Sequence, residues 1–238
     1  MKKIALLGSR KLSEKILEWI IKQNNCEIVG VVAPSYKTWW NDKLKENAMN
    51  WGIDTFDDIQ DVIDKKPDVI FSINYWKIIS EEHINQMNGK IVNIHHSHLL
   101  KYRGRYSTSW AIVNGEKYHG TSLHYITTEL DDGPIISSYK CEIKDDDTAE
   151  SLFTRVEKLA FDMFKENFNN ILDDNIDKCL EPSPTYYHYD KDSNKDLEMD
   201  YGHPIEDIYN WVRAWSFKDR PKPYFTYKGK RIELTYER

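Results

Sequence analysis

The sequence predicts an α/β fold: a mostly parallel sheet with helices on both faces, followed by a small C-terminal helix and β-hairpin. In the first half of the chain, short apolar runs alternate with segments whose apolar residues recur at helical spacing, as in parallel sheets with crossover helices. Beyond Pro182-Ser183-Pro184 the chain becomes polar and rich in Asp and Lys, which indicates a boundary. We interpret the chain as a Rossmann-like domain over 1–180 and a helix/hairpin subdomain over 181–238.

Two periodicities identify the elements of the first half. Continuous apolar runs predict buried strands at 3–7, 27–32, 69–73 and 90–94. Helical spacing is found for Leu12, Ile16, Leu17 and Ile20, and again at 42–51, 58–65 and 80–87.

The pattern changes at about residue 119. Residues 119–126 alternate between polar and apolar types, and 133–142 suit a partner strand. Thr148 is expected to cap a long amphipathic helix, whose apolar face holds Leu152, Val156, Leu159, Ala160, Met163 and Phe164. A short helix over 205–216 and a hairpin of 224–227 with 231–236 are predicted at the C-terminal end.

Composition and charge argue against several classes of protein. The 238 residues carry 33 basic and 39 acidic side chains, a formal net charge of −6, whereas nucleic-acid binders usually carry a basic surplus. No apolar run approaches the ~18 residues of a membrane span, and the N-terminal apolar stretch is too short for a secretory signal. The three cysteines lack CxxC spacing and are expected to be small buried residues. We therefore expect a cytoplasmic protein without a nucleic-acid or membrane partner.

The residues around the fourth predicted strand carry the strongest chemical signal. Asn93 and His95 lie two residues apart, so their side chains share one face of the strand, at the carboxyl end where parallel sheets bind ligands. An amide beside an imidazole suits polarising a carbonyl while moving a proton, although histidines at strand ends are often only structural. The cluster of His95, His96 and His98 could also suggest a zinc site. However, the side chains of residues 95 and 96 point to opposite faces, and no Cys or carboxylate stands at ligand spacing. We expect no metal.

Two motifs in order carry a family resemblance. The run Asn93-Ile94-His95-His96-Ser97-His98-Leu99-Leu100-Lys101-Tyr102-Arg103-Gly104 resembles the signature of the folate-dependent formyltransferases, Asn-x-His-x-Ser-x-Leu-Pro-x-x-x-Gly. Leu130-Asp131-Asp132-Gly133 is similar to their Leu-Asp-x-Gly. Residues 110–116 and 120–122 also fit, and further similarity occurs near 212–214. Two positions depart from the signature: His98 stands where the family has Leu, and Leu100 where it has Pro.

The resemblance implies transfer of a formyl group from 10-formyltetrahydrofolate, as formyl donor, to a primary amine. Asn93, His95 and Asp131 would be catalytic, although a turn residue before Gly133 is the plain alternative for Asp131. The segment Tyr75-Trp76-Lys77-Ile78-Ile79 resembles the one whose backbone faces the pterin. The expected folate contacts are Tyr75, Trp76, Ile78 and Asp132.

The length of the chain favours one class of amine within the family. Relatives that act on initiator tRNA carry a basic C-terminal barrel, and those that act on glycinamide ribonucleotide lack an aromatic tail. The chain looks like the short sugar N-formyltransferases, whose substrates are typically dTDP-linked 3- or 4-amino dideoxyhexoses for surface polysaccharides such as O-antigen. Two alternatives remain. The protein could be a formyltransferase that acts on another small amine such as glycinamide ribonucleotide, or it could be a non-catalytic nucleotide-binding module.

A nucleotide sugar needs cations for its diphosphate and an aromatic surface for its base. The candidates are Arg10, Lys77, Arg103, Arg105, Tyr106, Trp215 and Tyr224. Each has a plain alternative: Gly8-Ser9-Arg10 as a tight turn, Lys77 as a surface lysine, Arg103 as a loop-packing residue. Trp215 and Tyr224, like Phe225 or Trp39-Trp40, could equally be core or interface aromatics. The aromatic tail leads us to expect a homodimer.

Overall fold

The fold was determined as a computed structural model. It describes residues 1–35, 43–98, 101–176, 179–180, 186–188 (backbone only), 197–200, 202–218 and 220–237. The strands are β1 (Lys2–Gly8), β2 (Cys26–Val32), β3 (Thr55–Phe56), β4 (Val69–Ile73), β5 (Ile91–His95), β6 (Tyr102–Gly104), β7 (Tyr118–Tyr125), β8 (Ile135–Glu142), β9 (Tyr186–His188), β10 (Tyr224–Tyr227) and β11 (Lys230–Glu233). The helices are α1 (Arg10–Ile20), α2 (Leu44–Asn50), α3 (Ile59–Ile63), α4 (Glu81–Gln86), α5 (Ser107–Val113), α6 (Ala149–Leu172) and α7 (Ile205–Ala214).

Seven strands form one sheet in the order β3-β2-β1-β4-β5-β7-β8. The first five strands in this order are parallel, and β7 joins β5 antiparallel. The order reverses between β1 and β4, where the crevice at the carboxyl ends of the strands is the usual ligand position. The expected Rossmann-like α/β fold, with a C-terminal helix and antiparallel hairpin, is confirmed.

The structure differs from the sequence prediction in its shortest elements. The second hairpin strand runs over Lys230–Glu233 rather than 231–236, because residues 228 and 229 alone make the turn. Four short elements were not predicted: β3, β6, α5 and β9, of two to seven residues. Strands of two or three residues are too short to show an alternating pattern.

The chain divides into two compact units: Met1–His95, Ser122–Ser138 and Ala160–Pro182 form unit 1, and His96–Thr121, Tyr139–Leu159 and Ser183–Arg238 form unit 2. The elements β7, β8 and α6 each contribute residues to both units. The division into domains at residue 180 stays a prediction.

Each unit has its own buried apolar cluster. In unit 1, Ala5, Leu7, Val32, Ile70 and Ile91, which lie on four neighbouring strands, are completely buried. In unit 2, α7 contributes Ala214, which packs with α5 and α6 residues that include Ala111 and Leu152, next to Trp215. No helix in the described ranges has the length and apolar character to cross a bilayer.

Candidate active site

Strand β5 presents Asn93 and His95 on one face, as the sequence predicts. Both side chains are partly buried. Asn93 is the central residue of the strand and His95 its last. On one side β5 pairs in parallel with β4, and on the other it pairs antiparallel with β7. Backbone pairing on both edges therefore fixes the position of the strand from which the two side chains project.

Asp131 reaches the same place from the turn between β7 and β8. Its backbone has φ of +51°, a left-handed conformation that Asp adopts more readily than most residues. Its Oδ2 lies 3.6 Å from His95 Nδ1, and the side chains of both residues are largely buried. The structure thus brings together the three residues that the family resemblance selected.

Gly133 allows this turn to pack closely against the end of β7. A Cβ atom at Gly133 would stand 1.7 Å from the carbonyl oxygen of Tyr125, a separation that no side chain could tolerate. Glycine is therefore required at this position of the second motif because two backbone segments approach each other closely there.

The sequence analysis missed His124, which is 2% exposed. Its Nε2 lies 3.0 Å from Asn93 Nδ2 and 4.0 Å from Asp131 Oδ1. Strand alternation places residues 122, 124 and 126 on one face, but the sequence alone does not show which residue of β5 faces His124.

The segment after β4 contains buried polar atoms. Asn74 Nδ2 and Tyr75 Oη have no hydrogen-bond partner among the described residues. Burial, and then the charge of Asp58, raise the pKa of the Tyr75 hydroxyl to about 12, so the group is a neutral donor and acceptor at pH 7. Trp76 packs beside Tyr75 with ring centroids 4.8 Å apart. Buried polar atoms without a protein partner are commonly satisfied by water or a ligand.

Three other predicted residues belong to unit 1, and two of them lie on this segment. Lys77 Nζ donates to the carbonyl of Asp57 at 3.0 Å and lies 3.8 Å from the Asp58 carboxylate. Ile78 is 87% exposed. Arg10 begins α1 with φ of +70°. It follows Ser9, an extended N-cap residue whose hydroxyl donates to the carbonyl of Asn74 at 2.6 Å.

The loop after β5 belongs to unit 2 and is held by its own serines. The Ser97 hydroxyl donates to the Tyr102 carbonyl and the Ser107 hydroxyl to the His96 carbonyl, each at 2.6 Å. Arg103 is buried, whereas Arg105 is exposed. This pattern favours packing for Arg103 and leaves Arg105 accessible.

The predicted aromatic residues lie in the apolar cluster of unit 2. Trp215 is 7% exposed, and its ring lies 5.9 Å from that of Tyr106. Tyr224 packs against the same cluster, and the Arg231 guanidinium lies 3.9 Å from its ring centroid. For Trp215 the arrangement favours the core alternative, and its assignment to a base stays a prediction. Trp39, Trp40 and Leu100 lie outside the described residues.

The described part of the chain holds no group of three or more His, Cys, Asp or Glu side chains arranged to bind a metal ion. Strand β5 provides the amide of Asn93 and the imidazole of His95, and the turn between β7 and β8 provides the carboxylate of Asp131. Such groups can stabilise a developing oxyanion and move a proton.

The comparisons with known proteins agree with this chemistry. Residues 55–167 match the model of the formyl transferase family, and this range contains Asn93, His95 and Asp131. Over this range the chain is similar to the formyl transferase family. The resemblance drawn from the two sequence motifs is thereby confirmed.

Similar proteins add detail about length. The chain is 35% identical over 151 residues to the bifunctional polymyxin resistance protein ArnA of Wigglesworthia glossinidia brevipalpis, a match that covers 63% of this chain and 23% of that protein. The chain thus spans about a quarter of that relative's length.

Two solved structures match almost the whole chain. A 4-N formyltransferase from Francisella tularensis has a TM-score of 0.83 at 19% identity, covering 99% of this chain and 97% of that one. An N-formyltransferase from Helicobacter canadensis, solved with folinic acid and dTDP-3-aminofucose, has a TM-score of 0.82 at 24% identity, covering 98% and 86%. At these identities the likeness establishes the fold of the formyl transferase domain and its C-terminal extension.

Proposed function

We propose that this protein transfers a formyl group from 10-formyltetrahydrofolate to the amine of a nucleotide-linked amino sugar, a dTDP-linked 3- or 4-amino dideoxyhexose. The grouping of Asn93, His95 and Asp131 at the end of β5 carries the proposal. The acceptor class is supported by the N-formyltransferase solved with dTDP-3-aminofucose, whose structure matches 98% of this chain. The product would serve surface polysaccharide synthesis, including O-antigen, and we expect a cytoplasmic homodimer.

In the proposed reaction the amine nitrogen of the sugar attacks the formyl carbon. A C–N bond forms, and negative charge develops on the formyl oxygen. A hydrogen bond from Asn93 and one from the imidazolium form of His95 would stabilise this charge, each worth roughly 3–4 kcal/mol of barrier. The bond between the formyl carbon and N10 of the folate then breaks, the departing N10 takes up a proton, and the amine loses one. Asp131 would orient His95 and accept the amine proton through water.

The polar atoms after β4 fit the folate assignment. A pterin presents several ring nitrogens and an amide along one edge, which suit buried donors and acceptors that lack protein partners. Asn74 Nδ2 and Tyr75 Oη are such groups. We assign the folate to the segment with Tyr75, Trp76 and Ile78, and to Asp132 beside the catalytic carboxylate.

The residues proposed to contact the diphosphate and base of the acceptor are Arg10, Lys77, Arg105, Tyr106 and Tyr224. Arg103 and Trp215 were also predicted, but their burial favours packing roles. Among these cations, Arg105 is the best candidate for the diphosphate because its side chain is exposed. Lys77 would exchange its contact with Asp58, an exposed pair that costs little to break.

The test is a formyl-transfer assay with 10-formyltetrahydrofolate and a panel of acceptors. The panel contains dTDP-3-amino and dTDP-4-amino dideoxyhexoses, glycinamide ribonucleotide and initiator methionyl-tRNA. We expect transfer to one of the dTDP sugars and none to the other two acceptors. Transfer only to glycinamide ribonucleotide or to tRNA would overturn the acceptor class. Nucleotide-sugar binding without any transfer would support the non-catalytic module instead.

A further inference from the structure

His124 lies directly opposite Asn93 in the antiparallel pairing of β5 with β7. Residues opposite each other in such a pair point to the same face of the sheet. The imidazole is 2% exposed, and its Nε2 lies 3.0 Å from Asn93 Nδ2. Both residues belong to unit 1, and the contact is therefore internal to that unit.

The hydrogen-bond partners of His124 decide which ring nitrogen carries the proton. Nδ1 lies 2.8 Å from the carbonyl oxygen of Tyr125, which can only accept a hydrogen bond. Nδ1 therefore donates. In a neutral imidazole the other nitrogen is then an acceptor, so Nε2 accepts a hydrogen bond from the Asn93 side-chain NH₂ group.

This bond fixes the orientation of the Asn93 amide. A side-chain amide is planar, so using one N–H defines the directions of the second N–H and of Oδ1. The Asp131 carboxylate is also near the ring, but its Oδ1 lies 4.0 Å from Nε2, which is too long for a hydrogen bond. Asn93, rather than Asp131, is thus the partner of Nε2 in this geometry.

We propose that His124 is a positioning residue for formyl transfer: it accepts a hydrogen bond from Asn93 and holds the second amide N–H toward the formyl oxygen. This inference rests on the proposed function, because it assigns Asn93 the role of oxyanion donor. Loss of His124 would leave the amide free to rotate and to present its oxygen instead. The contribution of such a donor depends on its being held in place before the charge develops.

The decisive variants are His124→Phe, which removes the acceptor, and His124→Gln, whose side-chain oxygen can accept from Asn93. We expect His124→Phe to lower kcat about tenfold or more while the KM values of both substrates change less than about threefold. We expect His124→Gln to restore most of the lost kcat. In an Asn93→Ala background, His124→Phe should have almost no further effect, because the two residues act as one unit.

A matched control is His119→Phe, the same chemical change at another buried histidine of β7. His119 Nε2 lies near the carbonyl of His96 at 3.1 Å and Thr108 Oγ1 at 3.3 Å, so its removal also deletes buried hydrogen bonds. Unfolding temperatures of both variants measure the structural cost. A merely structural role for His124 predicts that the two variants, compared at equal folded fraction, have the same kcat.

Nitrogen NMR of histidine-labelled wild-type protein gives a readout that does not depend on activity. We expect His124 in the Nδ1–H form, with a Nε2 signal that shifts in Asn93→Ala. Unchanged kcat in His124→Phe, or full additivity with Asn93→Ala, would overturn the inference while leaving the proposed function intact. An inactive wild type would refute the proposed function, and the NMR result alone would then decide whether His124 orients Asn93.

Discussion

At the residue scale, single backbone geometries bring the site together. Asp131 reaches His95 because it adopts a left-handed conformation, and Gly133 lets that turn approach the Tyr125 carbonyl. The same carbonyl accepts the Nδ1–H of His124. Gly133 and His124 therefore both lie against the carbonyl oxygen of Tyr125.

His95→Asn removes the titratable group and keeps a polar side chain of smaller size. Under the proposed mechanism we expect kcat to fall by about a hundredfold or more, with an unchanged unfolding temperature. The control is His203→Asn at an exposed histidine, which should keep full activity. Near-normal turnover of His95→Asn would make His95 a structural residue.

Gly133→Ala places a methyl group where the Tyr125 carbonyl stands. The turn has to move, which displaces Asp131 from His95, so we expect formyl transfer to fall by about tenfold or more because small misplacements are costly. Gly89→Ala is the control, since Gly89 has φ of +74° with open space around it. That variant should lose about 1 kcal/mol of stability and no activity. Equal activity of the two variants in steady-state assays would contradict the role of the turn.

At the element scale, α6 shows how a polar network fixes the start of a helix. The Thr148 hydroxyl accepts from the Ser151 backbone N–H at 3.2 Å, and the Ser151 hydroxyl accepts from the Thr148 N–H at 3.0 Å. The expected cap by Thr148 is therefore present, in reciprocal form. Asp147 precedes it and accepts from Arg155 at 2.6 Å and from Ser151 at 2.8 Å.

The ionised Asp147 should stabilise the fold in a defined pH range. Burial by itself raises the pKa of the Asp147 carboxyl. Hydrogen bonds from Arg155, the Lys144 N–H and Ser151 outweigh this effect and lower the pKa to about 2. The pKa in the folded state is thus below 3.8, the ordinary value of an aspartate carboxyl. Its stabilising contribution is present above that value and is lost as the pH falls toward the folded value.

We therefore expect Asp147→Asn to lower the free energy of unfolding at pH 7. The difference from wild type should shrink as the pH falls from about 5 to about 2. Denaturant titrations across this range measure it. Asp162→Asn, which breaks a more exposed pair with Lys165 on the same helix, should have a small effect at every pH. A difference between wild type and Asp147→Asn that does not change with pH would contradict the role of the charge.

At the scale of the whole molecule, residues after 204 share an apolar cluster with earlier parts of the chain. Ala214 and Trp215 pack with Tyr102, Ala111 and Leu152 within unit 2. The hairpin differs, because one of its faces remains in solvent. Phe225 pairs with Ile232, and Tyr227 shares their face; Tyr227 is 47% and Ile232 40% exposed.

We expect the proposed homodimer to use this face of the hairpin. Ile232→Asp places a charge beside Phe225 and Tyr227 on this face, and it should shift the mass measured by light scattering from dimer to monomer. Thr226→Asp adds the same charge at an exposed position of β10 whose side chain points to the other face, and it should leave the dimer intact. A dimeric Ile232→Asp variant, or a monomeric wild type, would contradict this assignment of the hairpin.

Local sequence patterns were enough to predict the class of fold and most of its elements. Strand-length apolar runs and helical spacing depend on neighbours close in the chain, so β1, α1, β2, β4, β5, β7, β8 and α6 could be predicted within a few residues. The sequence also placed Asn93 and His95 on one face, because alternation along a strand is a local property.

Which residues face each other depends on contacts between distant parts of the chain, and local patterns do not predict it. The left-handed turn brings Asp131 to His95, and the register of β7 on β5 puts His124 against Asn93. Trp215, which an aromatic count alone could not place, lies in the cluster of unit 2. These contacts join residues that are far apart in the chain. They are set by strand register and close packing, and a shift of one residue in the register would turn His124 to the other face of the sheet.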